Sequence, residues 1–448
     1  MTDATRTAAE PSRSRDPAGL GLRLRQLRSA AGLTQSELAG ERFSKEYLSQ
    51  IERGKTRPTP ETIDWLARRL GVDPGLLASG VATDERSRVE AVLGRAEALN
   101  EARRFDEAAS DLRRAESAVL TTGLPELEVR WLAAAAWSRL ELGEVREAAD
   151  LLVRARELAE GAAFSDLERA GILFRLGVCR YKLSSISTAS ALLTEALELA
   201  ERSELPSDLL RSEILSWRSR CYRRHRDLEA AREDVERALE LARGLDDRPR
   251  LAGALVQASL VAERMGHWVL ARTYAERAKA HYEELNDGRN VAGMLNNLGG
   301  LNLMLGRPDE AIEYLKRSFS VALEADSVED AAQAAGSLAG VHLRVGDHAQ
   351  AEQLARHALE LLDGRVDYLH EIGPTQLVLG RALLEQNRLD EAEECFRAAD
   401  ASFEQLSSAS HRAAGWIAMG DLAARRGDDR NAARLYRLAA ETLQDVRF

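Results

Sequence analysis

Residues 32–57 read GLTQSELAGERFSKEYLSQIERGKTR, and the spacing within this stretch decides the fold of the N-terminal part of the chain. Thr34-Gln35-Ser36-Glu37 forms a capping box: the Thr34 hydroxyl accepts from a first-turn amide and Glu37 reaches back to the cap N–H. A very short helix therefore opens there and ends at Gly40. Ser44 supplies a second N-cap, starting a helix that runs through Arg53 and stops at Gly54. Upstream, Leu20, Leu24, Leu27 and Ala31 recur at helical spacing before Gly32, with Arg23, Arg25 and Arg28 between them. Downstream, Thr59-Pro60 and Asp73-Pro74 each set a capping side chain before a proline at the first helical position. Short helices with a tight turn between the second and third describe a helix-turn-helix.

On the third helix Leu48 and Ile51 share one face. Glu46, Ser49, Gln50 and Arg53 project to the other, with Lys45 at the leading edge. The N-terminal residues of a recognition helix meet base edges in the major groove. Lys45 can donate to a guanine, Glu46 can accept from a cytosine amino group, and Gln50 can pair with adenine. The competing reading is a set of solvated polar side chains.

The strings GLTQSELAG (32–40) and SKEYLSQIERGKTRPTPETIDWLARRLGV (44–72) resemble the Xre/Cro/phage-repressor type of DNA-binding domain. The resemblance implies a five-helix, lambda-repressor-like domain over 19–79 with double-stranded DNA as partner. It makes Gln35, Ser44, Lys55 and Arg57, with Arg53 beside them, phosphate contacts that fix register rather than sequence. It also implies that Arg28 and Glu52 form a structural salt bridge, and a half-buried pair of this kind is strongly missed when one partner goes.

At 448 residues the chain exceeds a single ordinary core, so more domains or a repeat array must follow. Residues 1–80 carry 13 Lys+Arg against 10 Asp+Glu, whereas the remainder holds 49 against 63. A basic head on an acidic body suggests that only the head meets a polyanion. No apolar run approaches the roughly 20 residues of a membrane span, and no h-region of a signal peptide is present. Cys179, Cys221 and Cys395 are odd in number and widely spaced, against a disulfide framework or a zinc knot. A reduced, cytoplasmic, nucleoid-associated protein is expected.

The body repeats. RRFDEAA, GEVREAA, GRPDEAI, GDHAQAE, NRLDEAE and GDDRNAA share a pattern whose alanine aligns at Ala108, Ala148, Ala189, Ala230, Ala271, Ala311, Ala351, Ala392 and Ala432, 40 or 41 residues apart. Seven residues later stands another small residue in every copy except at Arg237. Twelve residues earlier stands a third, except at Arg218. Small residues at these offsets let antiparallel helices approach closely. The pattern resembles tetratricopeptide (TPR) repeats. It implies an all-α chain: a right-handed solenoid of about nine helix pairs over 89–445, after a disordered tail over 1–18, the helix-turn-helix domain over 19–79 and a linker over 80–88.

In such a solenoid the first helices line a groove, and positions −18, −15, −11 and −8 from the alanine are expected to face it. They include Arg130, Trp137, Phe174, Tyr181, Tyr222, Asn296 and Gln333. Aromatic walls in the early copies, glycine-made room in the later ones and a few polar anchors suit a peptide or an amphipathic small molecule. Packing residues are the alternative reading of the same aromatics.

No phosphate loop, nucleophile elbow, H-E-x-x-H or Gly-rich fingerprint occurs, and the scattered histidines show no metal spacing. No enzyme, metal or cofactor is expected. The two parts together resemble the helix-turn-helix plus TPR regulators of Gram-positive bacteria, including those that sense intracellular signal peptides. That resemblance implies a transcription regulator whose TPR body takes a peptide, metabolite or protein ligand and mediates homodimerisation on a palindromic or direct-repeat operator. The alternative is a TPR interaction scaffold in which DNA binding is secondary.

Overall fold

The computed structural model describes residues 17–161, 164–365, 368–406 and 408–445, and among these every regular element is helical. The head comprises α1 (Pro17–Ala30), α2 (Gln35–Ala39), α3 (Lys45–Glu52), α4 (Pro60–Leu70) and α5 (Pro74–Ser79). Each cap falls where the sequence places it. Thr34 and Glu37 exchange both bonds of the capping box, and Ser44 Oγ accepts from the Tyr47 amide at 3.1 Å. Thr59 and Asp73 cap α4 and α5 ahead of their prolines. Leu24, Leu38, Leu48, Ile51, Leu66 and Leu77 are fully buried in one core.

The expected tail over 1–18 lies outside the described residues as far as residue 16, and Pro17 already opens α1. The expected linker over 80–88 is corrected: α6 (Thr83–Glu101) begins inside it. Asp73 causes this early start. Its Oδ1 caps the Leu76 amide at 3.0 Å and also accepts from the amide and hydroxyl of Thr83, both at 2.9 Å. These bonds, those from Thr83 first, hold the Asp73 carboxyl below its ordinary pKa. Across the same junction Arg23 of α1 donates to the Leu77 and Ala78 carbonyls at the end of α5, at 3.2 and 2.6 Å.

Hairpins of helices follow: α6 with α7 (Phe105–Thr122), α8 (Pro125–Glu141) with α9 (Val145–Ala159), and α10 (Asp166–Lys182) with α11 (Ile186–Arg202). Then come α12 (Asp208–Arg224), α13 (Leu228–Gly244), α14 (Arg248–Arg264), α15 (Trp268–Glu284), α16 (Gly288–Met304) and α17 (Pro308–Glu324). The series ends with α18 (Val328–Arg344), α19 (His348–Leu361), α20 (Leu369–Glu385), α21 (Leu389–Gln405), α22 (Ala409–Arg425) and α23 (Asp429–Asp445). The chain divides into two compact units, 1–221 and 222–448.

Within the hairpins the small-residue columns do what packing requires. A Cβ on Gly299 would lie 2.5 Å from Leu315 Cγ, and one on Gly380 would lie 2.5 Å from the Phe396 ring. The bare position twelve residues before the repeat alanine therefore receives the large side chain four residues after it. Each turn into a second helix carries one left-handed residue, as at Gly143, Ser184, Gly266 and Gly306. In all but the fourth copy it stands five residues before the aligned alanine.

The fourth copy corrects the alignment. Its left-handed residue is Arg226, which makes Ala231 the register alanine rather than Ala230. Ala231 is fully buried, whereas Ala230 is partly exposed. Ser219 and Ala238, both fully buried, then fill the two columns. The exceptions at Arg218 and Arg237 disappear, and the pattern holds in nine copies.

Candidate functional site

On α3, Leu48 and Ile51 are fully buried, while Lys45, Glu46, Gln50 and Arg53 are exposed and Ser49 is half-buried. The helix therefore offers a continuous polar face anchored by two core side chains. Gln50 Oε1 accepts from the Thr56 hydroxyl at 2.8 Å, leaving the amide N–H groups to donate outward. A two-point pairing with adenine requires that Thr56 bond to be exchanged. Ser44, Lys55 and Arg57 are exposed around the ends of α3.

Behind this face sits a polar triad. Arg28 Nε and its second terminal nitrogen donate to the two Glu52 carboxylate oxygens at 2.6 and 3.2 Å, and Arg28 also donates to the Leu33 carbonyl at 2.7 Å. The Glu52 side chain is only 4% exposed. Burial pushes its carboxyl pKa up. Hydrogen bonds from Arg28 and Gln35, with the charges of Arg28 and Arg25, outweigh burial and hold it below the ordinary value. Gln35 gives its amide to Glu52 at 2.7 Å. The structure thus engages Gln35 in the scaffold, where the resemblance implied a phosphate contact.

The second candidate site is the face shared by the first helices of the repeats. In the first unit Arg130 on α8 forms a two-pronged pair with Glu97 on α6, both contacts at 2.5 Å. Trp137 is half-buried on the same helix, and the Tyr181 ring meets the Trp217 ring edge-on at 5.6 Å. Phe174 is a correction: it is 4% exposed and offers no surface to a ligand. Its neighbour Arg175, four residues after Gly171, is the side chain that faces outward there. Tyr222 is also displaced: with Ala231 as the register alanine, position −8 of the fourth copy falls on Arg223 instead.

In the second unit Gln333 Nε2 donates to Glu371 at 2.8 Å. Burial raises the Glu371 carboxyl pKa, against the opposing hydrogen bond of Gln333 and charge of His370. Asn296 keeps a buried side-chain oxygen without a partner. Around it, a Cβ on Gly293, Gly300 or Gly340 would meet nothing within 4 Å. The helical register marks Asn296 and Gln333 in advance; Arg175, at −14, falls one residue off the counted positions, and Glu371, at −21, lies nearly a turn before them.

Comparison with known proteins accords with this geometry. A family model described as a helix-turn-helix domain matches residues 20–79, and tetratricopeptide-repeat models match 250–324, 290–364 and 374–403. The chain is 43% identical over 60 residues to the HTH-type transcriptional regulator DdrOP3 of Deinococcus deserti. It is 46% identical over 54 residues to the uncharacterized HTH-type transcriptional regulator y4dJ of Sinorhizobium fredii. These matches cover 13% and 12% of this chain, and 46% and 70% of those proteins.

Solved structures resemble most of the fold at low identity. The apo form of RapI gives a TM-score of 0.62 at 12% identity, covering 80% of this chain and 98% of that one. The apo form of the quorum sensor NprR from B. thuringiensis gives 0.59 at 13%, covering 80% and 99%. A Rap protein complexed with Competence and Sporulation Factor gives 0.53 at 17%, again covering 80% and 99%. The fold is thus a helix-turn-helix head followed by a TPR-type helical solenoid. The chain belongs to the HTH-type transcriptional regulators.

Proposed function

We propose that this chain is an Xre-type, effector-responsive regulator that acts as a homodimer in the cytoplasm. Lys45, Glu46, Ser49 and Gln50 read base edges, while Ser44, Arg53, Lys55 and Arg57 hold phosphates. The observation that carries this reading is α3 itself: Lys45, Glu46, Gln50 and Arg53 are exposed while Leu48 and Ile51 lock the helix into the core. The face shared by the first helices takes the effector, a peptide in the first instance. Support comes from the likeness to a Rap protein solved with Competence and Sporulation Factor and to a quorum sensor. A dimer must present two recognition helices about 34 Å apart to read adjacent half-sites. An effector that binds one dimer geometry more tightly shifts DNA binding by that difference in affinity.

Selection of duplexes from a random pool with the full chain, followed by a salt-titrated shift assay, tests the DNA half. Lys45→Ala and Gln50→Ala are expected to relax base choice at single positions, each by about 1–3 kcal/mol. Lys55→Ala is expected to weaken all duplexes alike and to flatten the salt slope. A purified, folded chain that ignores every duplex at low ionic strength overturns the proposal and leaves the interaction scaffold.

A further inference from the structure

Arg175 is a half-buried cation on the open side of α10, and among the described residues it has no ion pair. Its one hydrogen bond among the described residues goes from a terminal nitrogen to the Gly171 carbonyl of its own helix, at 3.3 Å. Its guanidinium carbon lies 5.7 Å from the centre of the Trp137 ring on α8. The nearest acidic influences are Glu213 and Glu97, which act through space only. Glu97 already holds both prongs of Arg130. Desolvation dominates over these charges and lowers the Arg175 pKa, yet a guanidinium does not give up its proton in proteins. The charge therefore stays, and no carboxylate among the described residues is paired with it.

The position of that charge is informative. A side chain that feels Glu97 on α6, Trp137 on α8 and Glu213 on α12 at once points into the face those first helices share. A half-buried cation with no carboxylate on its fork is stabilised when an anion arrives to accept from it. A planar guanidinium with its fork unoccupied and an aromatic wall beside it is the arrangement that receives a carboxylate or a phosphate in two-pronged fashion. Glycine at 171 keeps the approach open: a Cβ there would stand 3.4 Å from the Arg175 terminal nitrogen.

We propose that Arg175 is the anchor for an oxyanion, the carboxylate or phosphate of the effector, seated against Trp137 in the first unit. This rests on the effector reading of the face but assigns its chemistry: the ligand brings a negative group to that point. Carboxylate and phosphate share the chemistry that the fork recognises, and the test separates them.

The full-length chain is titrated at matched ionic strength with inorganic phosphate, with a random hexapeptide pool bearing a free carboxy terminus, and with the same pool amidated. Thermal unfolding and tryptophan fluorescence report binding for the wild type, Arg175→Gln and Arg175→Lys. The wild type is expected to bind phosphate or the free-acid pool, and Arg175→Gln to bind it about tenfold or more weakly, as loss of a charged hydrogen bond requires. Arg175→Lys is expected to recover part of the response, because it keeps the charge without the fork. Preference for phosphate over the free-acid pool identifies a phosphoryl ligand, and the reverse identifies a carboxylate. Equal responses from wild type and Arg175→Gln to every probe, or none from either, overturn the assignment. Failure of DNA binding leaves this titration unchanged, so the two proposals fail separately.

Discussion

Arg28→Met is the most exacting perturbation of the head. It removes two bonds to a carboxylate that is 4% exposed and leaves Glu52 buried with the Gln35 amide as its remaining side-chain donor. Breaking a buried pair from one side costs about 3–5 kcal/mol. A domain the size of residues 19–79, at about 0.05–0.15 kcal/mol per residue, holds about 3–9 kcal/mol in total. The substitution is therefore expected to bring the head close to its unfolding midpoint while the helix hairpins persist. Hydrogen exchange read by mass spectrometry resolves the two regions in the intact chain. Exchange across α1 and α3 should rise about a hundredfold or more, at a factor of ten per 1.36 kcal/mol, with α16 and α17 unchanged. The double substitution Arg28→Met, Glu52→Leu removes the stranded charge and should restore much of the protection, since an apolar pair replaces a buried ion pair at little cost. If Arg28→Met alone raises exchange by less than about tenfold, the triad contributes no more than a surface contact and the account of the head is wrong.

Two further outcomes follow from packing and from protons. Gly299→Ala drives a Cβ to 2.5 Å from the buried Leu315 and should destabilise the second unit by about 1–3 kcal/mol, whereas Gly300→Ala meets nothing and should stabilise α16 by about 0.5–1 kcal/mol. Denaturant melts of the two variants check the opposite signs. Acid should separate the regions. Glu52 and Asp73 have depressed pKa values, so their contribution is complete above their ordinary values of 4.5 and 3.8 and is lost as pH falls through the folded values. Glu371 is raised, so its neighbourhood is stabilised at low pH and loses that contribution as pH rises through its folded value. Exchange rates corrected for intrinsic pH dependence should show the head loosening and α20 tightening on acidification.

Much of this was legible in the sequence because it rests on local chemistry. Thr34, Ser44, Thr59 and Asp73 announce their helices by hydrogen bonds spanning three residues, and such bonds need no knowledge of the rest of the chain. The repeat columns were legible because close approach of two helices demands a small residue at a fixed offset. The slip in the fourth copy arose where Ala230 and Ala231 stand side by side. Two large residues in small-residue columns were the signal that the frame was wrong there. The contacts of Arg175, Glu371 and Gln35 were not legible, since each depends on which side chains distant in sequence arrive within a few ångströms. Phe174 shows the same limit: a helical count from Gly171 reaches 174 and 175 almost equally, and tertiary packing selects Arg175 for the open side.

The junction between head and body bears most directly on how an effector could act. A flexible tether over 80–88 would let the head sample many orientations and would average away any change in the repeats. The chain does not have that freedom. Asp73 fastens the start of α6 to the start of α5, and Arg23 fastens α1 to the end of α5. Gly75 accepts the crowding this produces, since a Cβ there would lie 2.7 Å from the Thr83 hydroxyl and 3.0 Å from the Val81 carbonyl. With its α1 and α5 pinned at this junction, the head moves with α6 rather than independently of it. Arg130 on α8 is in turn paired with Glu97 on α6, and Trp137 of α8 lies against Arg175 of α10. An unbroken series of contacts thus joins the proposed oxyanion anchor to the helix-turn-helix head within one compact unit. A ligand that draws Arg175 toward itself acts on the same helices that hold the head, so that effector binding and DNA binding draw on one set of contacts and are expected to be coupled reciprocally.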